Sequence, residues 1–304
     1  GRKEEKCMEY MVLVLIIFSY FLANIFQNRL SASLKGRIYP SNLFQVTWML
    51  LAGFMFAAAG LITGGLHFSS YTVRMGALAG VCTITGGMCL LGAMAMGPLS
   101  LTILIFSMYV IVAPALSVVF LNEKVTICQV IGMLLILAVL LLSNYSREGG
   151  KGRRSRVWWL LCLGSVAGTG LSNHLMKVHQ YRMRNQDVLE YSVASYGSGV
   201  ICAAVLALFF WRNAGKAPDA SPYRFTWKSF FGPAIGMAVT EGIANLGNLY
   251  NVSRLPAIVL YPVSQLGTLM LTVLFGITAL REKLTRVSAA CLILGTAAII
   301  LMNF

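Results

Sequence analysis

Residues 98–126 read PLSLTILIFSMYVIVAPALSVVFLNEKVT, and residues 255–285 read LPAIVLYPVSQLGTLMLTVLFGITALREKLT. Each is a long apolar run. The first ends on Glu123-Lys124-Val125-Thr126 and the second on Glu282-Lys283-Leu284-Thr285, about half the chain apart. A bilayer core of ~30 Å takes about 20 residues of helix, and both runs reach that length. Working outward, comparable runs lie near 9–28, 42–63, 72–94 and 126–144. A second set lies near 157–177, 190–211, 229–250 and 285–303. Ten transmembrane helices are therefore predicted, in an all-α membrane protein.

Composition supports lipid as the main solvent. Of 304 residues, 58% are hydrophobic and 11% charged, with a mean hydropathy of +0.75. A soluble domain carries roughly 25% charged residues. The net charge of +14 would suggest nucleic acid in a soluble chain. Here the basic residues sit in short loops between apolar runs, where the positive-inside rule acts, so no nucleic-acid partner is expected. Cys82, Cys89, Cys128, Cys162, Cys202 and Cys291 fall inside apolar runs without disulfide or metal spacing and read as small buried hydrophobes. The first run, followed by Asn and Gln, reads as a span rather than a removable signal. The loops opposite the termini hold the larger share of Lys and Arg, which predicts both termini outside and the basic 145–156 loop in the cytoplasm.

The two sets of five repeat one another, dividing one integrated membrane domain into halves at 1–150 and 151–304. Besides the Glu-Lys endings, Gly76 and Gly80 open the third span and Gly232 and Gly236 the eighth. Both are G-x-x-x-G pairs that let helices approach closely. Asn24 and Asn28 in the first span parallel Asn173 and Lys177 in the sixth. Because five is odd, the second copy is inverted relative to the first. Inverted repeats recur in secondary transporters, with the binding site at the repeat interface near the midplane.

The stretch Ile258-Val259-Leu260-Tyr261-Pro262-Val263-Ser264-Gln265-Leu266-Gly267-Thr268, with the following run to Arg281-Glu282-Lys283-Leu284-Thr285, resembles the EamA-type transporters of the drug/metabolite transporter superfamily. Ala113-Pro114 through Asn122-Glu123-Lys124-Val125-Thr126 is similar in the first half. The resemblance implies two inverted five-helix halves over the whole chain and transport of a metabolite or drug. It is also similar to the four-helix small multidrug resistance proteins. Their first-helix acidic residue has no positional match here, where Asn24, Gln27 and Asn28 stand.

Of the ten acidic residues, only Glu241 lies deep in a span, about twelve residues into the 229–250 run. An ionised carboxylate at that depth costs roughly 2.5–3.5 kcal/mol or more, and such groups usually face a cavity on a substrate or proton path. A protonated Glu bonded to a neighbouring helix is the plainer alternative. Asn245 and Asn248 follow on the same helix face. Tyr261, Gln265, Asn24, Trp48, Tyr109 and Tyr196 are further substrate-binding candidates. Amides cannot satisfy themselves on their own helix as Ser and Thr do, and aromatic faces attract cations. Tyr191 is a weaker candidate of the same kind. Lys177, at a span end, reads as snorkelling to the headgroups, and His174 as a packing residue.

No Gly-rich phosphate loop, G-x-S-x-G or metal-ligand spacing occurs in the sequence, so neither an enzyme nor a cofactor is expected. The predicted function is secondary transport of a small polar metabolite, a cationic or zwitterionic amine or amino-acid-like compound, in the cytoplasmic membrane. Glu241 would serve as the coupling or cation-recognition group, with protons or another ion as co-ligand. An anion or sugar-phosphate exchanger using Lys177 is the first alternative. A membrane-embedded enzyme or scaffold is the second.

Overall fold

The computed structural model describes residues 2–34, 38–96, 102, 105–145, 155–184, 186–214, 226–278 and 286–302. Among them are ten α-helices: α1 (Arg2–Leu34), α2 (Ile38–Ile62), α3 (Ser70–Met96), α4 (Tyr109–Leu121), α5 (Ile127–Tyr145), α6 (Arg156–Met183), α7 (Val188–Ala214), α8 (Gly232–Asn251), α9 (Ala257–Thr278) and α10 (Arg286–Met302). One π-helical turn, Trp227–Phe231, leads into α8. The described residues contain no β-strand. The Glu282-Lys283 ending, the 146–154 part of the basic loop and the side chains of Asn28 and Cys291 lie outside what is described.

Local chemistry sets the helix ends. Ser155 accepts from the Trp158 backbone N–H at 3.1 Å and caps α6. Thr126 and Gln129 form a reciprocal capping box at the start of α5, both bonds 3.2 Å. After α4 and α6 the chain turns out through Asn122 (φ 51°) and Arg184 (φ 50°), left-handed positions that end the helix. The chain leaves α2 through Gly64 and Gly65, at φ 123° and 97°, where a side chain would be strained.

Among the described residues, five helical segments are long and apolar enough to cross a bilayer: Cys7–Gln27, Leu43–Ile62, Ser70–Met94, Val188–Leu208 and Ala257–Phe275. Tyr109–Leu121 and Ile127–Leu142 are shorter apolar helices. Large apolar side chains are exposed on α2, α4, α5, α6, α7 and α10, where Phe54, Ile62, Val119, Ile127, Leu160, Ile201 and Ile293 all face outward. A soluble monomer rarely shows apolar patches beyond a few hundred Å²; a membrane protein puts such a surface against lipid. Charge and amide groups gather instead on α6 and α8, which carry Asn173, Lys177, Glu241, Asn245, Asn248 and Asn251 and fall outside that apolar set.

The interior has two main apolar clusters. One joins α1, α5, α9 and α10 around Ile16, Ile136, Leu260 and Leu266. The other joins α2, α7 and α8 around Met49, Phe56, Ala203 and Met237. Close helix approach is built on glycine. A Cβ at Gly80 would lie 2.0 Å from the Ser195 carbonyl oxygen of α7, and one at Gly168 of α6 would lie 2.8 Å from the Gly86 backbone of α3. The Gly76/Gly80 pair thus acts as its spacing predicts. The Gly232/Gly236 pair differs: the atoms nearest a Cβ at Gly236 belong to the Phe26 ring, and the one nearest a Cβ at Gly232 is the Trp227 carbonyl oxygen of its own π-turn.

Candidate functional site

The approach of α3 to α6 and of α2 to α8 leaves a cavity of about 190 Å³. Gln45 and Trp48 line it from α2, Thr83, Ile84, Gly87 and Met88 from α3, Thr169 from α6, and Met237 and Glu241 from α8. Each half of the chain therefore contributes two helices. Glu241 is half-buried, and among the described residues no hydrogen bond or salt bridge reaches its carboxylate. The phenol groups of Tyr20, Tyr109 and Tyr196 lie close enough to feel its charge.

Around this carboxylate the polar groups are fixed by one another. The Trp48 indole N–H donates to the Gln45 side-chain oxygen, and its ring stands edge-on to Tyr196 at 6.0 Å. Tyr196 in turn stacks on Phe56 at 5.4 Å. Asn245 donates to Ser192 at 3.4 Å, joining α8 to α7. Tyr109 donates to the Gln265 oxygen at 2.8 Å, joining α4 to α9. Asn248 donates to the Tyr20 hydroxyl at 2.6 Å, joining α8 to α1. Preorganised dipoles of this kind reduce the reordering needed when a ligand arrives.

Of the predicted site residues, Glu241 and Trp48 line the cavity directly. Tyr196, Tyr109, Asn245 and Gln265 form the shell behind them. Asn24 is half-buried on α1, one turn beyond Tyr20. Tyr261 is buried and donates to the Asn173 backbone oxygen at 2.7 Å, so it closes the α6–α9 seam rather than lining the cavity. Gln45, Thr83, Met88 and Met237 line the cavity without any signal in the sequence that separates them from packing residues.

Lys177 corrects the snorkelling expectation. It is 2% exposed. Its ammonium meets the Glu123 carboxylate at 2.7 Å and donates to the Leu255 carbonyl oxygen at 2.8 Å. Glu123 also accepts from the Ala257 backbone N–H at 3.1 Å. One buried knot thus joins the end of α4, α6 and the start of α9. A second lies at the same end of the bundle, where the Thr72 hydroxyl bridges His179 at 3.0 Å and Asp187 at 2.8 Å. His174 packs against Phe120. Among the described residues no cluster of three or more His, Cys, Asp or Glu could hold a metal ion.

No protein-family model matches the chain, and no curated protein matches it. A solved crystal structure superposes with a TM-score of 0.75 at 15% identity, over 97% of this chain and 96% of its own. At that identity the likeness concerns the fold alone.

Proposed function

We propose that the chain is a ten-span secondary transporter of the EamA type, built from two inverted five-helix halves, which carries a small cationic or zwitterionic amine across the cytoplasmic membrane by alternating access. One observation carries this reading: Glu241 presents a carboxylate with no salt-bridge partner among the described residues to a cavity shared by both halves. In low dielectric such a group is stabilised by a proton or a cationic ligand, and the two compete for it.

Helix packing supports the repeat. Exchanging α1–α5 with α6–α10 turns α1–α8 into α6–α3, α1–α9 into α6–α4, and α2–α8 into α7–α3. The pairs α2–α7, α4–α9 and α5–α10 map onto themselves. These are the nine most extensive helix packings among the described residues. A chain without internal symmetry has no reason to pack its helices in a set closed under that exchange. Lys177, which an anion exchanger would need, already holds Glu123, so the alternative loses its key residue. Among the described residues the cavity lining offers no second acid or base beside Glu241, which favours carriage over paired acid–base chemistry.

The test is solute flux. Purified protein in vesicles should accumulate an organic amine when an outward-directed proton gradient or a membrane potential is imposed, each charge moved through 100 mV being worth about 2.3 kcal/mol. Vesicles that carry no amine, amino acid or drug-like cation under either gradient would remove the transport reading.

A further inference from the structure

We infer that the Glu241 cavity selects compact organic monocations, amines that carry no carboxylate, over amino acids; the inference rests on the binding-site reading above. The lining holds one full charge, that of Glu241, and no Lys, Arg or His among the described residues. Its remaining hydrogen-bond donors are neutral and partly committed. The Thr83 hydroxyl donates to the Ala79 carbonyl oxygen at 2.9 Å. The Gln45 oxygen is held by Trp48, which leaves the Gln45 amide NH₂ and the Thr169 hydroxyl. An ammonium finds a counter-charge there; the α-carboxylate of an amino acid finds a second negative charge and no cation. In a confined, poorly screened site like charges repel strongly, and neutral donors offset little of that.

Size and surface narrow the class. A cavity of roughly 150 Å³ accepts benzene, so about 190 Å³ leaves room for one ring and a short aminoalkyl arm. Trp48 offers an indole fixed at its N–H and edge-on to Tyr196, suited to a cation–π contact. Met88, Met237 and Ile84 provide an adaptable apolar wall for the body of the ligand.

Three ligands that share a ring and chain but differ in charge test this: phenethylamine, phenylalanine and hydrocinnamate, titrated calorimetrically into the full chain in nanodiscs. Phenethylamine should bind at least about tenfold tighter than phenylalanine, and hydrocinnamate not measurably. Glu241→Gln should weaken the amine by at least about the same factor. Gly87→Leu should abolish its binding, because a Cβ at Gly87 meets open space and the side chain can enter the cavity without displacing a neighbour. Gly197→Leu, equally unobstructed but outside the lining, should leave affinity unchanged. Phenylalanine binding as tightly as the amine, no binding of any of the three, or amine binding indifferent to both Glu241→Gln and Gly87→Leu would overturn the inference. Amine binding without flux in vesicles would remove transport and leave the selectivity standing. Flux of amino acids but not amines would do the reverse.

Discussion

Lys177 keeps a charge where almost no water reaches it, and Glu123 is the reason it can. Burying an ion pair stabilises little in net terms, but removing one member leaves the other uncompensated, at roughly 3–5 kcal/mol. Lys177→Met should therefore lower the thermal midpoint of the purified protein sharply. Adding Glu123→Gln, which keeps an oxygen for the Ala257 N–H, should restore much of the loss. Equal, additive losses from the two substitutions would show that the pair is uncoupled. At this scale the sequence was partly legible. Glu241 stood out because a lone carboxylate in an apolar run is costly wherever it points. Lys177 misled because its partner lies on another helix, and spacing along α6 cannot show it. Thr83 and Gln45 were hidden for a different reason: small polar side chains look the same in a helix whether they face lipid, a neighbour or a cavity.

Between helices, backbone distance decides what a glycine tolerates. Gly80→Val would drive a side chain into the Ser195 carbonyl and Gly168→Val into the Gly86 backbone, neither of which can give way. Overpacking of this kind costs about 1–3 kcal/mol or more. Both variants should lose monodisperse protein on size-exclusion chromatography, while Gly197→Leu elutes and melts as the parent does. Parent-like behaviour of Gly80→Val would mean that α3 and α7 do not pack this closely. Apolar run lengths anticipated most of the helices, because bilayer thickness sets a length that composition reveals. The ends were less legible. Helix α6 continues to Met183, well beyond the 157–177 run, since its last turns bury His179 and Gln180 rather than face lipid. The G-x-x-x-G spacing of α8 was read as a backbone contact, but spacing cannot tell a neighbouring backbone from the Phe26 ring.

For the molecule as a whole, charge bias predicts that the 145–156 loop is cytoplasmic. With Cys7 replaced by Ser, a cysteine introduced by Gly150→Cys should resist an impermeant thiol reagent on intact cells. Rapid labelling would instead place the termini inside. The closed set of helix packings and the cavity shared between halves bear on how the chain works, and Glu241 stands at their intersection. Glu241→Gln keeps the size and hydrogen-bonding capacity of the side chain but removes its charge and its proton. The most direct measurement is amine uptake by vesicles reconstituted with wild type or Glu241→Gln, followed across a series of pH values at constant membrane potential. Wild-type uptake should vary with pH as protons and amine compete for one carboxylate. The variant should insert and melt normally, transport little, and show no pH dependence. Full uptake by Glu241→Gln vesicles, with the wild-type pH profile, would contradict a coupling role and leave Glu241 as a packing residue.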